Sequence, residues 1–309
     1  MTLEPPKVVS LLASATEIVC ALGGESSLVG RSHECDFPTV VHQLPVCTST
    51  LFDTAQSSLD IDRSVKDHLS SGLPIYRVDR ERLEALHPDV IVTQSHCEVC
   101  AVSRKDVEAS LGPDLLRTAD IVSLRPDNLQ DIWNDFAMIA AAMKIPDQGK
   151  QLIQDCKKRM AMVSNKTALL SHRPRVACIE WINPLMAAGN WVPELVKMAG
   201  GINLFGEAGK HSPWMEWNDI LEKDPDVLVI LPCGFDLPRV QKEMTALTSR
   251  KEWSSLRAVQ EKKVYLTDGN QYFNRPGPRV VDSLEILAEI LHPSLFSFGY
   301  SPSAWMPLP

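Results

Sequence analysis

Several features that this sequence lacks narrow its function. No segment of the 309-residue chain approaches the ~20 consecutive apolar residues of a membrane-spanning helix. The chain has no cluster of Lys or Arg, and its 31 basic residues are outnumbered by 39 acidic ones, giving a net charge of −8. Composition and charge therefore predict neither direct membrane insertion nor nucleic acid as a partner.

The familiar catalytic motifs are also missing from the sequence. It contains no Gly-x-Ser-x-Gly nucleophile elbow, no phosphate-binding glycine-rich loop, no His-Glu-x-x-His zinc motif and no dinucleotide fingerprint. A hydrolase built from the dispersed His33, Glu34 and Cys35 is compatible with the sequence, but no pattern favours it. The sequence therefore predicts a protein that is not an enzyme.

The start of the chain and its cysteines bear on the cellular compartment. The first apolar run, at residues 8–12, is shorter than the h-region of a secretory signal and is followed by polar Ser14 and Thr16. The eight cysteines fall mostly inside apolar runs, without the regular spacing of a disulfide framework. We expect reduced thiols and a cytoplasmic location, or a periplasmic one if a leader has been removed.

Two stretches of the chain share one pattern, which predicts two similar domains. A short β-type run, a loop and a helix ending in Gly-Gly occur at residues 7–24 and again at 175–201. In the same order, a helix ended by Pro-Asp precedes a fully apolar strand at residues 83–92 and at 221–229. Such strands are typical of parallel sheets that helices cover on both faces. The prediction is an α/β protein with two similar parallel-sheet, Rossmann-like lobes.

The segment between the repeats predicts helices and no flexible linker. Apolar residues recur at spacings of three and four in 127–143 and, after a break at Pro146, again up to residue 163. We expect one long rigid helix, at about residues 147–168, to join the lobes. The predicted organisation is an N-terminal lobe (1–145), an interlobe helix (146–170), a C-terminal lobe (171–296) and a Pro-rich surface tail (297–309), with the ligand cleft between the lobes.

The loops expected at the carboxyl ends of the C-terminal lobe's strands are rich in aromatic residues. Open parallel sheets bind their ligands at that edge. Trp181, Trp191 and Trp214 lie in these loops and are interpreted either as walls of a pocket for a flat or bulky apolar ligand or as core residues.

One of these loops combines an aromatic residue with two guanidinium groups. Phe273, Arg275 and Arg279 lie within seven consecutive residues. Guanidinium groups suit a ligand with carbonyl, carboxylate or phosphate groups. The alternative for Arg279 is a salt bridge across the lobe interface.

The corresponding loops of the N-terminal lobe carry soft metal ligands. His33 and Cys35 follow one strand, and His96, Cys97 and Cys100 follow another. A Cys-x-x-Cys with nearby histidines can bind zinc, form a redox dithiol, or ligate the metal of a small molecule held in the cleft. A disulfide or a packed pair of Cys97 and Cys100 is the simpler alternative, because buried cysteine usually acts as a small hydrophobe.

The sequence resembles the cobalamin and iron-chelate class of periplasmic substrate-binding proteins, in which one rigid helix joins two α/β lobes. The similarity runs from about residue 7 to 292. The stretches at 32–36 and 96–103 resemble the cobalamin-binding branch of the class. The other specific stretches are residues 10–17, 83–92, 191–205 and 273–279, the last followed by a final helix at 281–290.

The resemblance implies a non-enzymatic solute-binding protein for a bulky metal chelate, either a corrinoid such as cobalamin or an iron chelate. An ABC transporter permease is the implied partner if the chain is exported. The alternative is a cytosolic metalloprotein or enzyme with zinc or iron on His33, Cys35, His96, Cys97 and Cys100. The expected ligand-binding residues are Ser14, Thr16, His33, Glu34, Cys35, Trp181, Trp191, Trp214, Phe273, Arg275 and Arg279.

Overall fold

A computed structural model describes residues 4–95 and 101–309 of the chain. Contacts between Cα atoms divide the protein into two units. The first unit comprises Met1–Gln56, Arg63–Pro126 and Gln130–Asp155, and the second comprises Ser57–Asp62, Asp127–Leu129 and Cys156–Pro309.

The N-terminal part of the chain forms a four-stranded parallel sheet in the order β2-β1-β5-β6 and a separate antiparallel pair, β3 and β4. Single turns of 3-10 helix occur at Glu25–Ser27 and Thr39–Gln43. The other elements are β1 (Val8–Ser10), α1 (Ala13–Ala21), β2 (Leu28–Arg31), β3 (Thr48–Thr50), α2 (Ser58–Ser70), β4 (Tyr76–Val78), α3 (Arg80–Leu86), β5 (Val90–Gln94), α4 (Arg104–Ser110), α5 (Pro113–Thr118) and β6 (Asp120–Leu124).

Two helices follow this sheet. Helix α6 covers Leu129–Ala142, and helix α7 covers the 22 residues Pro146–Thr167. The long helix expected at about 147–168 is therefore present, and the division between the two units falls inside it, after Asp155. None of the helices within residues 4–95 and 101–309 combines the length and the apolar character that crossing a bilayer requires.

The C-terminal part of the chain forms a sheet in the order β12-β11-β10-β7-β8, with β9 also paired to β7. Strands β7, β9, β10 and β11 are parallel, whereas β8 and β12 are antiparallel to their neighbours. The elements are β7 (Arg175–Trp181), β8 (Met186–Ala187), α8 (Val192–Met198), β9 (Ile202–Asn203), α9 (Trp217–Lys223), β10 (Val227–Ile230), α10 (Leu237–Glu243), α11 (Thr245–Thr248), a 3-10 turn (Trp253–Ser255), α12 (Arg257–Gln260), β11 (Val264–Thr267), α13 (Val280–Leu291) and β12 (Trp305–Pro307).

The repeat seen in the sequence corresponds to matching local structure in the two units. Helices α1 and α8 are each followed by a glycine in the left-handed region, Gly23 at φ 78° and Gly200 at φ 82°. The residues that follow α3 and α9, His87 and Asp224, also have positive φ values and lead into strands that are buried on both faces. The predicted fold class, an α/β protein with two parallel-sheet lobes connected through a long helix, is confirmed.

The aspartate of each Pro-Asp pair has a structural role that the sequence pattern did not reveal. Asp89 accepts a hydrogen bond of 2.8 Å at Oδ2 from the backbone N–H of Lys7, just before β1. Asp226 accepts the equivalent bond of 2.8 Å from the N–H of Arg175, the first residue of β7. Each carboxylate thus fixes the start of the strand that neighbours its own.

The end of the chain differs from the expected surface tail. Strand β12 pairs with β11 as an edge strand, and Ala304 just before it is buried. The buried Glu289 carboxylate of α13 accepts hydrogen bonds from Trp305 Nε1 and from the backbone N–H groups of three consecutive residues, Phe298, Gly299 and Tyr300. Proline content argues against a helix here, but it gave no sign of this long-range anchor.

We expect Glu289→Gln to destabilise the protein, because an amide NH₂ would face donors that the carboxylate now accepts. Hydrogen bonds to a charged group contribute about 1.5–3 kcal/mol each, so we expect a loss of about 2 kcal/mol in the free energy of unfolding. Urea denaturation measures it. The matched control is Glu222→Gln at an exposed site of α9. Equal stability of the two variants would contradict the stabilising role of the Glu289 carboxylate.

A second buried carboxyl group, in α6, makes the stability depend on pH. Asp135 is 3 % exposed, and its Oδ2 has no hydrogen-bond partner in the described part of the chain. Burial raises the pKa of Asp135 to about 7; a backbone hydrogen bond from Arg125 partly opposes this shift, and the nearby Asp131 adds to it. The folded protein therefore retains a proton that the unfolded chain loses at a lower pH.

We expect Asp135→Asn to stabilise the protein more at pH 8 than at pH 4. Because the pKa of Asp135 is raised in the folded state, the wild type loses stability as the pH rises from about 4 to about 7, whereas the asparagine does not titrate. The pKa rises from 3.8 to about 7 and one pKa unit corresponds to about 1.4 kcal/mol, so we expect the gain to grow by about 4 kcal/mol over this window. Thermal unfolding across the pH series measures it, with the exposed Asp155→Asn as control. A gain independent of pH would contradict the assignment.

Candidate ligand-binding site

Two aromatic side chains meet where β7 and β10 end. Trp181 is the last residue of β7, and its ring centroid lies 5.2 Å from that of Phe235 in the loop after β10. The Arg239 guanidinium carbon lies 3.8 Å from the centroid of the Phe235 ring. The planes of the two rings are tilted by 55°. Phe235 is buried and Trp181 is partly exposed, so the tryptophan is the outer residue of this aromatic cluster. The buried Trp181 Nε1 has no hydrogen-bond partner among the described residues.

Trp191 and Phe273 lie together in the core of the second unit. Trp191 is 5 % exposed and donates a hydrogen bond of 2.8 Å from Nε1 to the carbonyl oxygen of Phe273. Phe273, which is 1 % exposed, donates from its backbone N–H to Ser283 Oγ. Of the two interpretations left open for Trp191, the structure favours a core residue, and it places Phe273 there as well.

Trp214 takes the opposite position, on the surface of its loop. Its side chain is 57 % exposed. An isolated antiparallel bridge joins Trp214 to Met186, and the N–H of Ala187 donates to the carbonyl oxygen of Pro213 at 3.0 Å. The loop backbone is therefore tied to β8 while the indole ring faces outward.

The two arginines of the last loop are buried and bonded within it. Arg275 and Arg279 are 8 % and 7 % exposed. Arg275 donates to Asn270 Oδ1 at 3.0 Å, and Arg279 donates to Gln271 Oε1 at 2.9 Å. In this structure the two guanidinium groups organise the loop between β11 and α13 and present little surface.

A hydrogen-bond network that the sequence did not predict completes this loop. The Asp268 carboxylate accepts from the backbone N–H groups of Asn270 and Gln271, and burial raises its pKa although these bonds oppose the shift. Asn274 Nδ2 donates to the carbonyl oxygens of Leu231 and Gly269, both at 2.9 Å. A Cβ at Gly269 would lie 2.1 Å from the carbonyl oxygen of Pro232, so close approach of the two loops requires glycine. An aspartate followed by Gly-Asn after a strand was the available sequence signal.

In the first unit, Thr16 and Cys35 are brought together under the end of β1. Thr16 Oγ1 lies 3.0 Å from Cys35 Sγ and 2.8 Å from Ser10 Oγ, and Cys35 is 1 % exposed. Ser14, at the start of α1, is buried, and its Oγ has no hydrogen-bond partner within residues 4–95 and 101–309. The predicted residues of this region are thus close to each other but are mostly covered.

His33 and Glu34 are the more accessible residues of the neighbouring loop. Both are partly exposed. His33 Nδ1 lies 2.8 Å from Thr48 Oγ1, and its ring centroid lies 5.7 Å from that of Tyr76. Burial, and after it the charge of Arg31, lower the pKa of His33, which favours the neutral imidazole.

The predicted metal site stays a prediction. His96, Cys97 and Cys100 lie outside the described residues, and the same holds for the suggested disulfide or packed pair. His33 and Cys35 bond to different neighbours, Thr48 and Thr16. In the part of the chain that the structure describes, no three His, Cys, Asp or Glu residues are grouped so that they could hold a metal ion.

A cavity of about 630 Å³ adjoins the β3–β4 pair in the first unit. Its lining includes Arg77, Arg80 and Arg82 together with Asp79 and Glu81, so that charges of both signs face it. None of the predicted ligand-binding residues lines this cavity. The lining does include Thr48, whose Oγ1 lies 2.8 Å from His33 Nδ1.

The chain is similar to several known proteins over nearly its whole length. It is 23% identical over 303 residues to an uncharacterized ABC transporter substrate-binding lipoprotein of Bacillus subtilis, covering 95% of this chain and 82% of the relative. It is 22% identical over 289 residues to the vitamin B12-binding protein of Vibrio cholerae, covering 90% and 86% of the two chains. The periplasmic heme-binding protein RhuT of a Roseiflexus species has a similar structure, with a TM-score of 0.69 at 18% identity over 94% of this chain and 99% of that one.

The expectation of a cytoplasmic location is wrong, because similar proteins include an ABC transporter lipoprotein and periplasmic proteins, which point to a location outside the cytoplasm. The expected cytoplasmic location had relied in part on reading the cysteines as reduced thiols. The cysteines within residues 4–95 and 101–309 form no disulfide, but burial raises the pKa of Cys20 and of Cys178 to about 12 and that of Cys47 to about 11. Such thiols form little of the reactive thiolate, so their reduced state does not report on the compartment.

The family assignment rests on a longer match than any of the local motifs. A family model described as periplasmic binding protein matches residues 8–271, which extend from β1 of the first sheet past β11 of the second. The resemblance seen in the sequence is therefore confirmed, and this chain belongs to the periplasmic binding protein family.

Proposed function

We propose that this chain is the non-enzymatic solute-binding component of an ABC transporter and delivers its cargo to a membrane permease. The cargo that we propose is a bulky metal chelate, either a corrinoid or an iron chelate. Family membership and the similarity to an ABC transporter lipoprotein support the solute-binding role. Similarity to a vitamin B12-binding protein and to a heme-binding protein supports this class of cargo.

The observation that carries the proposal is the aromatic cluster of Trp181 and Phe235 at the ends of β7 and β10. Corrins and porphyrins are broad and largely apolar rings with polar amide or carboxylate arms. The partly exposed Trp181, backed by Phe235 and Arg239, offers a firm face for such a ring.

Trp214 adds a second aromatic surface in the same unit. A tryptophan that is 57 % exposed leaves a large apolar area in water unless a ligand or partner covers it. Its loop backbone is fixed to β8, so contact with a ligand orders few additional residues. We therefore include Trp214 in the proposed ligand contact.

The buried residues of the predicted site have a supporting role in this proposal. Trp191 holds the backbone of Phe273, and Arg275 and Arg279 hold the amide side chains of Asn270 and Gln271. These bonds preorganise the loop between β11 and α13. We propose that the exposed parts of this loop, and not the guanidinium groups, meet the cargo.

We expect cyanocobalamin or haemin to quench the tryptophan fluorescence of the protein saturably at micromolar concentration. Trp181→Ala should weaken binding of the same compound about tenfold, because removing one buried aromatic contact at a ligand costs on the order of 1–2 kcal/mol. Isothermal calorimetry with the same two compounds gives an affinity that does not depend on fluorescence.

The matched control is Trp253→Phe, which changes a buried tryptophan of the 3-10 turn before α12. This variant also loses one fluorophore, but it should bind as the wild type does. Absence of calorimetric binding of both compounds to the wild type would refute the metal-chelate proposal. Equal affinities of the Trp181 variant and the control would show that the aromatic cluster is not part of the site.

A further inference from the structure

We propose that Ser212 and Glu180 are positioning residues, whose hydrogen bond holds Trp214 in a fixed place relative to Trp181. This inference rests on the proposed function, because it concerns how the two tryptophans that we assign to the cargo contact are held. All the residues involved belong to the second unit. Ser212 is 4 % exposed, so it acts through its neighbours and not by touching the cargo.

The two tryptophans lie on opposite sides of one residue of β8. In the pairing of β7 with β8, Trp181 is opposite Met186, and an isolated antiparallel bridge places Trp214 opposite Met186 on its other edge. Neighbouring strands are about 4.8 Å apart, so the backbones of the two tryptophans are about 10 Å apart. A ligand that contacts both indole rings therefore depends on the segment that carries Trp214 staying beside β8.

Backbone hydrogen bonds join this segment, residues 210–215, to β8 and the residues that flank it. They run from the N–H of Ala187 to the carbonyl oxygen of Pro213, from that of Asn190 to Lys210 and from that of Met215 to Leu185, at 3.0, 2.7 and 3.0 Å. Such bonds involve only the main chain and form with many different side chains at these positions. They hold the segment in place but do not make its position depend on particular residues.

One further connection between the segment and the strands depends on side chains. The backbone N–H of Gly189 donates to Ser212 Oγ at 3.0 Å, and Ser212 Oγ donates its single hydrogen to Glu180 Oε1 at 2.8 Å. Glu180 directly precedes Trp181 in β7, and Ser212 lies two residues before Trp214. The Ser212 hydroxyl thus links the strand of one tryptophan to the segment of the other.

The contact around this hydroxyl is too close to be rebuilt without it. A Cβ at residue 189 would lie 2.6 Å from the backbone nitrogen of Ser212. Ser212→Ala leaves the N–H of the buried Gly189 without this acceptor and Glu180 without this donor. A buried donor that loses its partner is costly, so the segment moves until water reaches the N–H. Trp214 then has to be ordered when the ligand binds, which lowers the affinity.

The first test follows the position of the segment in the full-length protein without cargo. We expect Ser212→Ala and Glu180→Ala to speed hydrogen exchange of backbone amides in peptides covering residues 186–190 and 209–215 about tenfold. Glu180→Gln keeps an oxygen that can accept from the hydroxyl, so its exchange should equal that of the wild type. Mass spectrometry measures the exchange, and thermal unfolding checks that each variant is folded at the temperature used.

The matched control is Ser255→Ala, in the 3-10 turn before α12. It also removes a serine hydroxyl, which donates to the carbonyl oxygen of Glu252 at 2.7 Å, but at an exposed site. Exchange in the two peptides should be unchanged in this variant.

The second test measures binding of cyanocobalamin and haemin by calorimetry in the presence and absence of the Trp214 indole. Ser212→Ala should weaken binding about fivefold in the wild-type background. In a Trp214→Ala background the same change should weaken binding less than about twofold, because no indole is left to position. A merely structural role of Ser212 would weaken binding equally in both backgrounds.

The outcomes separate this inference from the proposed function. An equal loss of affinity in both backgrounds, or exchange in Ser212→Ala and Glu180→Ala that equals the wild type, overturns the positioning role and leaves the solute-binding role intact. Absence of calorimetric binding of both compounds to the wild type overturns the two together. Faster exchange, together with a loss of affinity that requires Trp214, supports the positioning role.

Discussion

The burial of whole strands on both faces is the constraint on which the rest of this structure depends. Strands β5 and β10 have no exposed residue, so their backbone N–H and C=O groups must be paired with the strands beside them. Polar side chains are then confined to the strand ends. At the starting ends the aspartates after α3 and α9 fix the neighbouring strands, and at the carboxyl ends the polar and aromatic residues collect.

In the described part of the chain, several polar groups of the loops at the carboxyl ends of the strands bond within the protein. In the second unit Asp268, Asn274 and Arg275 tie one loop to itself and to the loop after β10. In the first unit Arg31 and Thr48 do the same for the turn after β2. Fixed loops of this kind bind a ligand without losing much conformational entropy.

The second unit also shows how a carboxylate in a helix can determine the path of a distant segment. The Glu289 carboxylate accepts hydrogen bonds from three successive backbone N–H groups. These bonds hold the bend of the chain after α13, and β12 then pairs with the edge of β11. Covering a sheet edge in this way reduces the chance that another chain pairs with it. Nothing in the composition of the last residues distinguishes such a strand from a disordered tail, because the deciding partner lies on another element.

The sequence by itself determined the elements and their kind. Periodic apolar residues, Gly-Gly helix ends and Pro-Asp strand starts are local signals, and they were sufficient for two α/β lobes and the long helix Pro146–Thr167. The family was indicated by the resemblance of particular stretches and shown by the family match over residues 8–271. Only the tertiary structure decided which loop residues face outward. Trp191, Trp214 and Phe273 all lie in loops expected at strand ends, yet two are core and one is exposed. Contacts with other loops accompany this difference: Trp191 Nε1 donates to the carbonyl oxygen of Phe273, whereas Trp214 forms a backbone bridge with Met186. Likewise the sequence around His33 does not show what bonds its imidazole, because the partner, Thr48, comes from another strand.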